Sequence, residues 1–120
     1  MSQSREDYVK FIYENGTSQL VSNKMIAKGL QVSAPSVSEM IVKLAAEGLL
    51  EYQPYQGAEL TPKGTEMARN LIRKHEIWEY FLEKELGYTK EEVHDLAEVL
   101  EHSTPNELAD RLAKYIQYPE

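Results

Sequence analysis

The residues of this chain best suited to chemistry are its three histidines and the carboxylates around them, because the sequence contains no cysteine and so offers neither disulfides nor thiolate ligands. His75 falls in the middle of an apolar helical stripe, at the spacing that joins Leu71 to Leu82, and Glu79 follows one turn later. Downstream, His94, Glu98, Glu101 and His102 share roughly a quarter to a third of a helix circumference, beside the apolar edge Val93, Leu96, Ala97 and Leu100. Two imidazoles and two carboxylates on one flank are costly by self-repulsion unless a cation joins them. Nitrogen and oxygen donors without sulfur suit Mn²⁺, Fe²⁺, Co²⁺ or Zn²⁺, and the Irving–Williams order leaves selectivity to geometry and supply. Blander roles fit the same residues: a histidine in an apolar stripe can be a hydrogen-bonded core group, and acids on helix faces are usually solvated. Asp7, at the start of the first helix, joins the set if that helix crosses the second half; alone it is an N-terminal acid that favours the helix dipole.

Other chemistries find less support. There is no Ser/His/Asp set and no glycine loop to cradle phosphate. Glu91-x-x-His94 superficially suits a di-metal carboxylate enzyme, but that architecture needs ligands on four helices and only two are rich in them here. A net charge of −7 argues against nucleic acid at first sight. Its distribution softens the objection: residues 1–60 carry five basic and seven acidic side chains, residues 61–120 eight and thirteen, so the acid is concentrated in the second half. No apolar run of membrane-spanning length and no secretory leader is visible, so a cytoplasmic address and no membrane partner are expected.

The elements that must position these residues are mainly helical. Tyr8, Val9, Ile12 and Tyr13 predict a helix over 5–14, stopped by Asn15-Gly16. Ser22 caps a helix over 23–30, and Ser33, with Pro35 in the first turn, caps the next. So short a join predicts helix-turn-helix. In the third helix Val37, Met40, Ile41 and Leu44 face inward, leaving Pro35, Ser36, Glu39, Val42 and Lys43 outside and Ser38 at the margin. Two short runs over 49–60, around a turn rich in Pro, Gln and Gly, predict a two-stranded wing.

Thr61-Pro62 opens a long helix running to about Leu86 and ended by Gly87, with a stripe of Met67, Leu71, Ile72, Trp78 and Leu82. Thr89 to Glu92 and Thr104 to Glu107 both have capping-box spacing and predict two more helices, the last packing through Leu108, Leu112 and Ile116. The expected architecture is therefore a winged helix-turn-helix domain over 1–72 and a helical metal-binding and dimerisation domain over 73–120, the boundary lying inside the long helix.

This order of elements resembles the diphtheria toxin repressor family and, within it, the manganese-dependent transport regulators. The resemblance is carried by Glu6-Asp7-Tyr8, Ser36-Val37-Ser38-Glu39-Met40, Leu60-Thr61-Pro62-Lys63-Gly64, Lys74-His75-Glu76, and His94-Asp95 through Glu101-His102. It implies that Asp7, His75, Glu98, Glu101 and His102 are metal ligands, with Glu79 and His94 matching a second site of the iron-dependent members. Glu98 stands where iron-type members have cysteine and Asp7 where they have methionine, which tilts the implied metal toward manganese. Lys10 departs from the pattern, standing where some manganese members have a ligating glutamate. Many relatives also continue into an SH3-like domain, so this member is expected to be either short or truncated.

The implied function is a homodimeric repressor that binds double-stranded operator DNA when metal ties Asp7 to the helix over 90–102 and holds two recognition helices about 34–36 Å apart. The expected DNA-facing residues are Ser22, Lys24, Pro35, Ser36, Ser38, Glu39 and Lys43, with Tyr55 and Gln56 on the wing. The alternative readings are a winged-helix regulator that senses an organic ligand, its acid and histidine cluster being only surface, and the di-metal enzyme.

Overall fold

The structure is a computed structural model that describes residues 2–120, with side chains described from residue 5 onward. Six helices and one hairpin follow in the order α1 (Ser2–Asn15), α2 (Asn23–Leu30), α3 (Ala34–Ala46), β1 (Leu50–Gln53), β2 (Gly57–Leu60), α4 (Pro62–Lys84), α5 (Lys90–Glu101) and α6 (Asn106–Tyr115). The chain divides into two compact units, Met1–Arg69 and Asn70–Glu120, and the division falls within α4.

The first unit is built on an apolar core. Val9 and Ile12 from α1, Ile26 from α2, Val37, Ile41 and Leu44 from α3, and Leu49, Leu50 and Ala58 from the hairpin region are buried together with Val21. Local chemistry fixes the helix ends. The Ser22 hydroxyl accepts the Met25 N–H at 3.1 Å, and the Ser33 hydroxyl accepts that of Ser36 at 3.2 Å, so each cap satisfies a donor the helix leaves free. Between them Gln31 turns through the left-handed region at φ 57°, and the Val32 N–H returns to the Ala27 carbonyl at 3.0 Å.

The strands pair antiparallel in the register Leu50 with Leu60 and Gln53 with Gly57. A bridge unread from the sequence adds to them: Val21 and Ala58 exchange both backbone hydrogen bonds, each at 2.9 Å. Gly57, at φ 134°, makes this close approach possible, since a Cβ there would lie 2.5 Å from the Val21 carbonyl oxygen.

In the second unit, Ile77 of α4 packs with Ala109 and Ala113 of α6, flanked by Leu112, Ile116 and Tyr118. Three expectations need correction here. The long helix ends at Lys84 rather than near Leu86; Gly87 then takes φ 74°, letting the Tyr88 N–H reach the Leu82 carbonyl at 3.1 Å. The second capping box does not form, because the Thr104 hydroxyl donates to the Leu100 carbonyl and accepts the Trp78 indole N–H at 2.8 Å, leaving Pro105 as an N-cap without a side-chain bond. Leu112 and Ile116 pack as expected, but Leu108 is 46% exposed, and the most buried positions of α6 are Ala109 and Ala113. Small residues there let α6 approach closely, which a stripe read from large side chains alone overlooks. The first capping box does form: Thr89 accepts from Glu92 N–H and the Glu92 carboxylate accepts from Thr89 N–H at 2.9 Å.

Candidate metal centre and nucleic-acid interface

Within the second unit, α4, α5 and the C-cap of α5 bring six of the expected ligands into one network. Glu101, in the last turn of α5, has a side chain with no exposed surface, and its Oε1 lies 2.7 Å from His75 Nδ1 on α4. The other ring nitrogen of His75 lies 2.9 Å from Glu79 Oε2, one turn along the same helix. A neutral imidazole has one N–H to donate, so with carboxylates at both nitrogens only one contact is a hydrogen bond unless the ring carries a second proton. His94 stacks edge-on to His75 with ring centroids 5.0 Å apart, and its nitrogens lie 3.6 Å from Glu79 and from Glu98. His102, which caps α5, places Nε2 3.6 Å from the second oxygen of Glu101.

Burial separates residues that a helical wheel treats as equals. Glu101 and His75 are buried, the His102 side chain is nearly so, Glu98 is half-buried, and the His94 side chain is 62% exposed. A buried carboxylate costs on the order of several kcal/mol of desolvation unless partners offset it, and here His75 is the nearest such partner. The surroundings are electronegative as well: the Tyr118 phenol is raised above its ordinary pKa first by burial and then by Glu76, Glu120 and Glu79.

The donor set fits a divalent cation. One ligand atom each from His75, Glu79 and His94, or from His75, Glu98 and Glu101, lies within 4.8 Å of the others. Donors on a common ion sit about 2.0–2.2 Å from it, so a bound cation would draw the members of either triad toward a shared centre. Asp7, the remaining expected ligand, lies half-buried on α1 in the other unit.

In the first unit α3 presents its expected outer face to solvent. Pro35, Ser36, Ser38, Glu39 and Lys43 are all exposed. So are Lys24 on α2 and the wing residues Tyr55 and Gln56, with Tyr55 standing fully clear of the fold at φ 66°. Ser22 is half-buried and its hydroxyl oxygen is already engaged in capping α2. Val42 is also exposed, at 69%.

Comparison with known proteins gives this arrangement a setting. The model of the iron dependent repressor N-terminal DNA binding domain matches residues 1–58, and that of the iron dependent repressor metal binding and dimerisation domain matches residues 61–120. The chain belongs to the iron-dependent repressor family. A curated member, the HTH-type transcriptional regulator MntR of Lysinibacillus sphaericus (strain C3-41), is 35% identical over 123 residues, covering 98% of this chain and 84% of its own length. Among solved family members, zinc-bound ScaR superposes with a TM-score of 0.86 at 46% identity, over 96% of this chain and 54% of that one. A manganese-dependent transcriptional repressor in complex with manganese gives 0.84 at 39% identity, over 96% and 53%. This chain thus spans about half the length of those solved family members. Among the described residues no helix is long and apolar enough to cross a membrane.

Proposed function

We propose that this chain is a transcriptional repressor whose binding to operator DNA depends on a divalent cation, Mn²⁺ first among the candidates. The observation that carries the reading is the buried pairing of Glu101 with His75, ringed by Glu79, Glu98, His94 and His102, inside a domain of a metal-binding repressor family. The manganese dependence of the solved relative and the regulator class of the curated one support it. Glu98 and Glu101 offer hard oxygen donors and no sulfur competes with them, which suits manganese as well as iron, cobalt or zinc.

A bound cation supplies positive charge that offsets the clustered carboxylates. The contact of His75 with Glu101 ties α4 to α5, and His102 stands close to the second oxygen of Glu101. Glu79, with His94, extends the donor set toward solvent. Asp7 is proposed as the donor contributed by α1, on the strength of the family resemblance. On the reading side, Pro35, Ser36, Ser38, Glu39 and Lys43 are proposed to meet bases and phosphates, with Ser22 and Lys24 at the start of α2 and Tyr55 and Gln56 on the wing. Pairing of two chains through the second unit would present two copies of α3 to successive major grooves.

The test measures binding of a fluorescent duplex, chosen by selection from a random-core library in MnCl₂, with and without chelator. Binding that is lost in EDTA and regained with Mn²⁺ is expected. Binding indifferent to chelator would reject the metal-dependent reading and leave a winged-helix regulator answering to an organic effector.

A further inference from the structure

Val42 stands apart from every role assigned above. Burial of Val37, Ile41 and Leu44 fixes the rotation of α3, and at 3.6 residues per turn the ridge opposite that seam is formed by Pro35, Glu39, Val42 and Ala46. Val42 therefore occupies the middle of the exposed ridge, one turn beyond Glu39 and beside Lys43, with 69% of its surface in solvent. Nothing in the helix calls for valine there: an isopropyl group at that exposure buries little area, and a β-branched residue propagates a helix less well than alanine, lysine or glutamate. What the position does offer is an apolar surface on the part of the helix that projects farthest from the core of a domain matched to DNA binding.

The major groove presents one apolar feature, the C5-methyl group of thymine, and small apolar side chains recognise it by contact. We propose that Val42 is a specificity-determining residue that reads thymine through this methyl group. Its neighbour on the ridge, Glu39, can accept only from a base-edge donor such as cytosine N4, so the pair discriminates by complementary means: a carboxylate that demands a donor and an isopropyl group that demands a methyl. The inference rests on the DNA-binding reading and adds to it the base that this side chain selects.

The full chain, the Val42→Ala variant and MnCl₂ provide the test. Duplexes are selected from a random-core library with the unaltered protein, and each thymine of the selected site is replaced in turn by deoxyuridine, which removes only the methyl group. One buried methyl is worth about three- to fivefold in affinity, so at one thymine per half-site the unaltered protein should bind that much more weakly after replacement. Val42→Ala, which keeps only part of the apolar contact, should show a clearly smaller loss at that same position while keeping its other base preferences and an unchanged or slightly higher melting temperature. Losses of equal size in both proteins at every thymine, or no loss at any, would overturn the assignment. Failure of the unaltered protein to enrich any duplex would sink the DNA-binding reading itself, and this inference with it.

Discussion

The two units differ in what they bury. The first is filled by branched apolar side chains from three helices and a hairpin, Val9, Ile12, Ile26, Val37, Ile41, Leu44 and Leu49 all being buried. The second also buries apolar side chains, Leu71, Ile77, Leu82 and Val93 among them, but it shuts a carboxylate and an imidazole, Glu101 and His75, away from water as well. A core of the first kind gains stability from burial whatever the solution contains. One that adds a buried carboxylate depends also on what neutralises that charge. On the proposed function, the contrast would give rigidity to the proposed reading surface and responsiveness to the proposed ligand cluster.

The sharpest way to break this contrast is to weaken the apolar core. Leu44→Ala should cost about 2–5 kcal/mol, the usual range for truncating a fully buried leucine, and chemical denaturation should show that loss equally with and without Mn²⁺. A loss that vanished when metal was added would mean that the first unit also leans on the ion. Next in size is the metal itself. At a hundredfold excess over its dissociation constant Mn²⁺ should add about 2.7 kcal/mol, read as a rise in melting temperature that EDTA reverses. Glu101→Gln, which keeps the shape and removes the charge, should abolish most of that rise; a rise of unaltered size would remove Glu101 from the ligand set.

The smallest effect sharpens the comparison from the helix ends. Thr89→Ala should cost about 1 kcal/mol through loss of the cap on α5, measurable by thermal melting. The Glu92 carboxylate is held below its ordinary pKa, first by the Thr89 backbone N–H and then by its hydroxyl. Its contribution is therefore complete above the unfolded carboxylate pKa and is lost as pH falls through the lowered folded value. Glu92→Gln should flatten that part of an acid titration, and a titration unchanged by the substitution would exclude the cap as its source.

Much of this architecture could be read from residue order. Ser22, Ser33 and Thr89 announce their helices because a hydroxyl just before a periodic run has one favoured use. The same logic misleads at Thr104, whose hydroxyl is claimed by Trp78 and Leu100, partners that local spacing cannot reveal. Ile77 escaped attention in α4 although it is fully buried, since His75 and Trp78 drew the stripe toward themselves. For the site, spacing grouped His94, Glu98, Glu101 and His102 on one flank but could not rank them. Depth decides the ranking, and depth comes from α4 and the seam around it: Glu101 is sealed in while His94 remains in solvent. Val21 is similar, a single residue whose pairing with Ala58 depends on a distant strand and leaves no periodic trace.

That bridge has a mechanical consequence. A hairpin with four residues in each strand is marginal when left to itself, yet here its second strand, close to the turn, is bonded through Ala58 to Val21, just ahead of the Ser22 cap of α2. The wing is thus a lever welded to the helix-turn-helix instead of a tassel hanging from it. On the proposed function, such a tether would fix the angle between α3 and the wing, so that duplexes of the wrong curvature would forfeit one contact to keep the other.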